Sequence, residues 1–244
     1  RGWCHRGDPG TANRLMSVGR VLVLLGVYNV VQNTLLLSDR SYVGGNVIVT
    51  GVLVGEARRD GLGAKDLGLD RPDLGRGLAV GTSIACIAAS SATLLVSRRL
   101  VRPLLADDRL RDISRREIRH KVLLRFPLGT ALFEEVAFRG LLPALLRRRH
   151  PAWRAELLSA GAFAAWHLIP TAKAIAASPS GRSLSLGSQS AIVVGGCAAA
   201  GVAGLGLSFL RNAGGSLVTP WLAHLSVNAA TFLVVARRKR PQSP

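Results

Sequence analysis

The sequence predicts an all-α, polytopic membrane bundle of about six to eight transmembrane helices. Three observations carry that prediction. Apolar residues make up 48% of the 244 residues, and the mean hydropathy is +0.29. The apolar residues fall in runs about as long as the roughly 20 residues a helix needs to cross a bilayer. The charges lie almost entirely in the connectors between those runs, as membrane topology demands.

The first span is read over Leu15–Leu37, with Arg20 near its end able to snorkel. Tyr42–Gly55 is apolar but short, a weak span or re-entrant segment. A polar connector with breakers at Gly61, Gly63, Gly68 and Pro72 follows. Gly77–Ser97 is a second clear span. Arg98–His120 mixes both charge signs and reads as an amphipathic helix on the membrane surface. Val122–Leu146 is the next helix, carrying an acidic pair in its middle, and Glu156–Ala177 is another. Ser178–Ser190 reads as a flexible loop. Ala191–Leu210 and Leu217–Ala236 complete the set, and Arg237–Arg240 forms a basic stop that favours a cytoplasmic C-terminus. Ala200, Gly204 and Ser208 recur at four-residue spacing, a stripe that lets membrane helices approach closely.

The chain has 32 basic and 14 acidic residues, a formal net charge of +18. All but Lys65, Lys121, Lys173 and Lys239 of the basic residues are Arg. Because these charges flank apolar runs, they read as topology determinants, and nucleic acid is not an expected partner. Membrane lipid is. Cys4, Cys86 and Cys197 form no CxxC pair, so neither a disulfide framework nor a cysteine metal site is expected. The only Met is Met16; residues 1–15 read as an extension upstream of the natural start. No cleavable signal peptide is evident.

Ionisable groups at bilayer depth cost about 2.5–3.5 kcal/mol on insertion scales, so they are rare and mark function. Three otherwise apolar helices carry such groups: Glu134-Glu135 with Arg139, then Phe163 with His167, then His224 with Asn228. Successive residues of an α-helix are about 100° apart, so the two carboxylates diverge. Glu135 and Arg139 are at i,i+4, the spacing of an ion pair. Glu134 is left without a local partner and is the candidate general base. His224 and Asn228 share a helix face and form a candidate oxyanion site. Glu134, His167 and His224 also make a possible His₂–carboxylate zinc set, although a metal-free mechanism suits the same residues equally. No His-Glu-x-x-His zincin motif is present. His5, His120 and His150 lie in basic segments and read as solvated connectors.

The order Glu134-Glu135-x-x-x-Arg139, Phe163-x-x-x-His167 and His224-x-x-x-Asn228 resembles the CAAX protease and bacteriocin-processing family, also called the CPBP or Abi family of intramembrane metalloproteases. The context Phe138-Arg139-Gly140-Leu141-Leu142 is similar to it as well. The resemblance implies an intramembrane active-site cavity enclosed by the motif helices. It implies an intramembrane endopeptidase that hydrolyses a peptide bond with water activated by Glu134. His167 would hold that water or a metal, and His224 with Asn228 would stabilise the oxyanion. Glu135, Arg139 and Phe163 would support the site. Eukaryotic members act on prenylated proteins; bacterial members are linked to peptide maturation or bacteriocin self-immunity. The expected partners are therefore a peptide or membrane-associated protein substrate, and the expected location is the plasma membrane of a prokaryote.

The organisation that follows is an extension over 1–15, N-terminal membrane helices and charged connectors over 16–119, a catalytic core over 120–236 and a basic tail over 237–244. Two other functions use the same features. A non-catalytic immunity or scaffold protein of this fold would bind a peptide without cutting it. A proton-coupled transporter would use buried Glu and His, but it commonly carries internal repeats, and none is visible here.

Overall fold

A computed structural model describes residues 17–36, 38–98 and 113–238. The expected extension over 1–15, most of the surface helix read over 98–120, and the end of the basic tail lie outside the described residues. Among those described, every regular element is a helix.

Helix α1 (Val18–Thr34) starts where Ser17 accepts a hydrogen bond from the Arg20 amide, and α2 (Asp39–Arg59) starts likewise on Ser38. A side-chain oxygen at this position satisfies an otherwise unpaired first-turn N–H. The stretch read as a weak apolar segment is thus a full helix of 21 residues. Charged residues at both ends lower its mean apolarity, and the buried Asn46 and Thr50 each donate to a main-chain carbonyl one turn back. Helix α3 (Arg71–Ser97) has a proline in its first turn, where the missing N–H costs nothing.

The motif helix α4 covers 115–146 and is not regular. It opens with a capping box between Ser114 and Glu117. It then alternates α turns with two π segments, Lys121–Ala131 and Val136–Leu141. The expectation of a plain α-helix over 122–146 is corrected here. Pro127 lies inside the first π segment and removes one regular backbone bond. π segments are uncommon and gather at functional sites. The acidic pair sits on the short α turn between them, Leu132–Glu135.

The span read as one helix over 156–177 is two: α5 (Ala152–Trp166) and α6 (Leu168–Ala177), broken at His167. Pro170 explains the break. In a continuous helix the Trp166 carbonyl would accept from residue 170, which has no N–H. That carbonyl instead accepts from Asn29 Nδ2 of α1 at 2.8 Å.

The expected loop at 178–190 contains a short helix, α7 (Pro179–Arg182), and the start of α8 (Leu186–Gly214). Ser178 and Ser185 are their N-caps, so serines that look like loop composition are helix starts. Gly215 ends α8 with φ +70°, a conformation glycine adopts without steric penalty. Helix α9 is Val218–Arg238.

Among the described residues, three segments are long and apolar enough to cross a membrane: Asp73–Leu95, Leu186–Gly214 and Val218–Ala236. Helices α3 and α9 pack along one another, and α8 lies on α5. The small-residue stripe of α8 makes that second contact. A side chain at Gly204 would strike Phe163 and Arg139, and one at Gly201 would strike Ala164. The connector 60–70 is pinned at one end of the bundle, where Leu217 N donates to the Gly68 carbonyl and Arg211 to that of Asp66.

Candidate active site

The three motifs converge at the middle of α4. Glu134 is 4% exposed, Glu135 and Arg139 are 1% exposed, and His224 is 8% exposed. Arg139 Nε lies 3.4 Å from Glu135 Oε2, as the four-residue spacing predicts. Its guanidinium stacks 3.9 Å from the centre of the Phe163 ring. Phe163 therefore covers the cation that holds Glu135. Its ring also meets His167 edge-on, with centroids 4.4 Å apart.

Glu135 does more than pair with Arg139. Its Oε1 is 2.7 Å from His224 Nδ1. A carboxylate there assigns the proton of that nitrogen and turns the other, Nε2, toward Glu134. His224 Nε2 is 3.7 Å from Glu134 Oε2. Glu134 Oε1 accepts from Trp166 Nε1 at 3.1 Å. Glu134 has no side-chain partner within its own helix, as expected; its partner is Trp166, more than thirty residues away. Its second oxygen, Oε2, is buried without a hydrogen bond. An unpaired buried carboxylate oxygen beside an imidazole is where a reacting water or proton would be held.

His167 is fixed differently. At the break after α5 its Nδ1 is 2.9 Å from the Phe163 carbonyl, which leaves Nε2 unengaged. Two cavities meet at this residue. A polar one of about 350 Å³ is lined by Glu134, Trp166, Tyr42, Arg125 and His167. An apolar one of about 470 Å³, between α3, α5, α8 and α9, is lined by Phe163, His224, Asn228 and again His167. The four candidate residues thus divide between two adjoining chambers, with the Glu134–His224 contact in the wall between them. Asn228 lies one turn beyond His224 and half-buried.

Among the described residues no three His, Cys, Asp or Glu side chains gather as metal ligands. His224 and His167 each engage Nδ1 with a protein oxygen, which leaves Nε2 as the nitrogen that faces a ligand.

With this geometry in view, residues 120–230 match the family model described as type II CAAX prenyl endopeptidase Rce1-like. The similarity covers a little under half of the chain. The Rce1-like segment starts at the head of α4 and ends eight residues before the end of α9, so it contains all three motifs. The three apolar spans among the described residues and the match to a membrane-protease family model support an integral membrane protein. No curated protein and no solved structure matches the chain.

Sequence reasoning missed Trp166, Asn29, Tyr42 and Arg125. Trp166 stands directly before His167, yet an aromatic in an apolar helix looks like packing. Asn29 and Tyr42 lie far away in sequence, in helices α1 and α2, Arg125 lies in the first π segment of α4 itself, and none of them carries a motif.

Proposed function

We propose that this protein is an intramembrane endopeptidase of the CAAX-protease type, acting in the plasma membrane of a prokaryote. The observation that carries the reading is Glu134 Oε2: buried, without a hydrogen bond, and facing His224 Nε2 at 3.7 Å. Glu134 takes a proton from water, and the hydroxide adds to the substrate carbonyl. His224, as the imidazolium with its Nδ1–H held by Glu135, donates from Nε2–H and, with the Asn228 amide, stabilises the resulting oxyanion. Glu134 then passes the proton to the leaving amine as the C–N bond breaks. Trp166 holds Glu134 in place through its other oxygen, and Glu135 with Arg139 orients His224.

The division into chambers gives each part of the substrate a place. The apolar chamber accepts a prenyl group or an apolar side chain. The polar one admits water and the hydrophilic peptide. His167, lining both, stands where the scissile bond would lie.

The test is to reconstitute the purified protein in vesicles with a library of membrane-anchored lipopeptides and to search for new peptide termini by mass spectrometry. New termini at defined positions are expected, at a rate unchanged by chelator. Activity lost to chelator and restored by zinc would return the His₂–carboxylate mechanism. No new termini would favour the non-catalytic binding protein.

A further inference from the structure

The polar chamber over Glu134 carries more cation than its chemistry as a water channel requires. Arg125 lines it and pairs with Asp39, and its guanidinium lies 3.9 Å over the ring of Tyr42. Lys121 binds the same Asp39 carboxylate at 2.9 Å, and His120 approaches it at 3.6 Å. One carboxylate thus serves two permanent cations. On the facing wall Lys173 stands exposed at the rim and donates to the main-chain carbonyl of Asn33, a neutral partner. The other acid of the chamber, Glu134, accepts from the neutral Trp166 N–H through one oxygen. The chamber is thus lined by two cations, Arg125 sharing its carboxylate with Lys121 and Lys173 bonded to a neutral carbonyl, against the single carboxylate of Glu134.

A second observation points to a ligand. Gln32 lines the same chamber and is 4% exposed, and its amide oxygen is buried without a hydrogen bond. Burying an unpaired amide oxygen is unfavourable, and a peptide N–H entering the chamber would satisfy it. Cationic side chains beside a free amide suit an anionic peptide segment. Arg125, fixed by Asp39 and stacked on Tyr42, presents its fork with little orientational freedom to lose. Lys173 is the mobile point charge that closes on the anion from the other side.

We infer that the polar chamber is a carboxylate-binding subsite, in which Arg125 and Lys173 hold a carboxylate of the peptide substrate, either its free C-terminus or an acidic side chain. The inference takes its peptide ligand from the protease reading above. It adds which part of the peptide sits on the Glu134 side of the scissile bond: the part that carries the negative charge. Lys173 and Arg125 are binding residues here and take no part in proton transfer.

The experiment measures binding rather than hydrolysis, so the two readings fail separately. Acyl-anchored lipopeptides of random sequence are made in four sets: C-terminal acid or C-terminal amide, each with or without Asp and Glu. The full-length protein in detergent is incubated with each set, and retained peptides, intact or cleaved, are counted by mass spectrometry. Carboxylate-bearing sets are expected to be retained about ten- to hundredfold better than the neutral amides, the range for hydrogen bonds to charged groups. Preference for the acid set lacking Asp and Glu identifies the C-terminus as the source. Preference for the amide set containing them identifies a side chain. Lys173→Gln should lose most of the discrimination and Lys173→Arg should keep it. Lys173 is exposed and bonded to one carbonyl, so this pair carries the test even if Arg125→Gln unsettles the Asp39 contacts. Equal retention of all four sets, or discrimination undiminished in Lys173→Gln, would overturn the subsite. Carboxylate preference without any new termini would leave the subsite and overturn the protease; new termini without preference would do the reverse.

Discussion

Helix α4 carries two ionic clusters, and they are built on different terms. At its start, Lys121 and Arg125 close on Asp39 of α2, with each side chain roughly a quarter exposed. Two turns further on, Glu134, Glu135 and Arg139 are almost fully buried with His224. In the outer cluster both carboxylate oxygens of Asp39 are hydrogen-bonded. In the inner one, Glu134 Oε2, Glu135 Oε2 and both terminal nitrogens of Arg139 lack hydrogen-bond partners. Buried polar groups in folded proteins are nearly always satisfied. The outer cluster therefore reads as a clasp between helices. The inner one keeps open valences in the place where leaving them open is most costly, which is the mark of a reactive site.

The largest effect should come from the inner cluster. Arg139→Ala leaves Glu135 buried without its cation and removes the charge over Phe163. Losing one partner of a buried pair costs about 3–5 kcal/mol. Thermal unfolding in detergent should show that loss together with reduced abundance; Glu135→Gln should do the same. A stable Arg139→Ala protein would show that the cluster is not a support.

Asn228→Ala should fold normally and retain a slow rate, because one oxyanion donor is worth about 10²–10³-fold in turnover. Measured on the same lipopeptide substrate as wild type, an unchanged rate would remove Asn228 from the site and confine the chemistry to the Glu134 chamber.

Asn29→Ala probes the break at His167. It strips the Trp166 carbonyl of its donor, which Pro170 cannot replace. An unpaired buried carbonyl costs about 1–3 kcal/mol. A lower unfolding temperature is expected, with a further loss of activity as Trp166 and His167 drift. No change in either would mean that the break is held by something other than Asn29.

The outer clasp should respond least. Asp39→Asn is expected to cost about 1 kcal/mol or less, since partly exposed pairs are weak. Burial pushes the Asp39 carboxyl up, but hydrogen bonds and charges from Lys121 and Arg125 outweigh it and hold the carboxyl below the usual range. A group with a depressed folded value stabilises the fold above its unfolded value, about 3.9 for Asp, and loses that contribution as pH falls through the folded value. The wild-type advantage over Asp39→Asn should thus be constant at neutral pH and shrink below about pH 4. An advantage that grows on acidification would contradict the clasp.

Much of the inner cluster was legible in the sequence, and for a physical reason: its partners are local or stand in apolar helices where any charge is conspicuous. Glu135 and Arg139 meet at their four-residue spacing even though π segments replace the regular helix. The π segments themselves were not legible. Pro127 and Pro143 signal irregularity, but not its kind. The break at His167 had a readable cause in Pro170, which the apolar run around it concealed. Trp166 and Lys173 were illegible as site residues because what places them is the approach of α1 and α4, a tertiary fact. The serines at 178 and 185 misled for a related reason: the side chain that breaks a helix also caps the next.

The central claim is that Glu134 is the base. Its most direct test is the turnover of one cleaved lipopeptide by Glu134→Gln beside wild type, with binding of the same peptide measured in parallel. Gln keeps the volume and can still accept from Trp166, but it cannot take a proton from water. Turnover should fall about 10²–10⁴-fold, the worth of general-base catalysis, while binding and unfolding temperature stay near wild type. Turnover at the wild-type rate would contradict the account and move the chemistry away from Glu134.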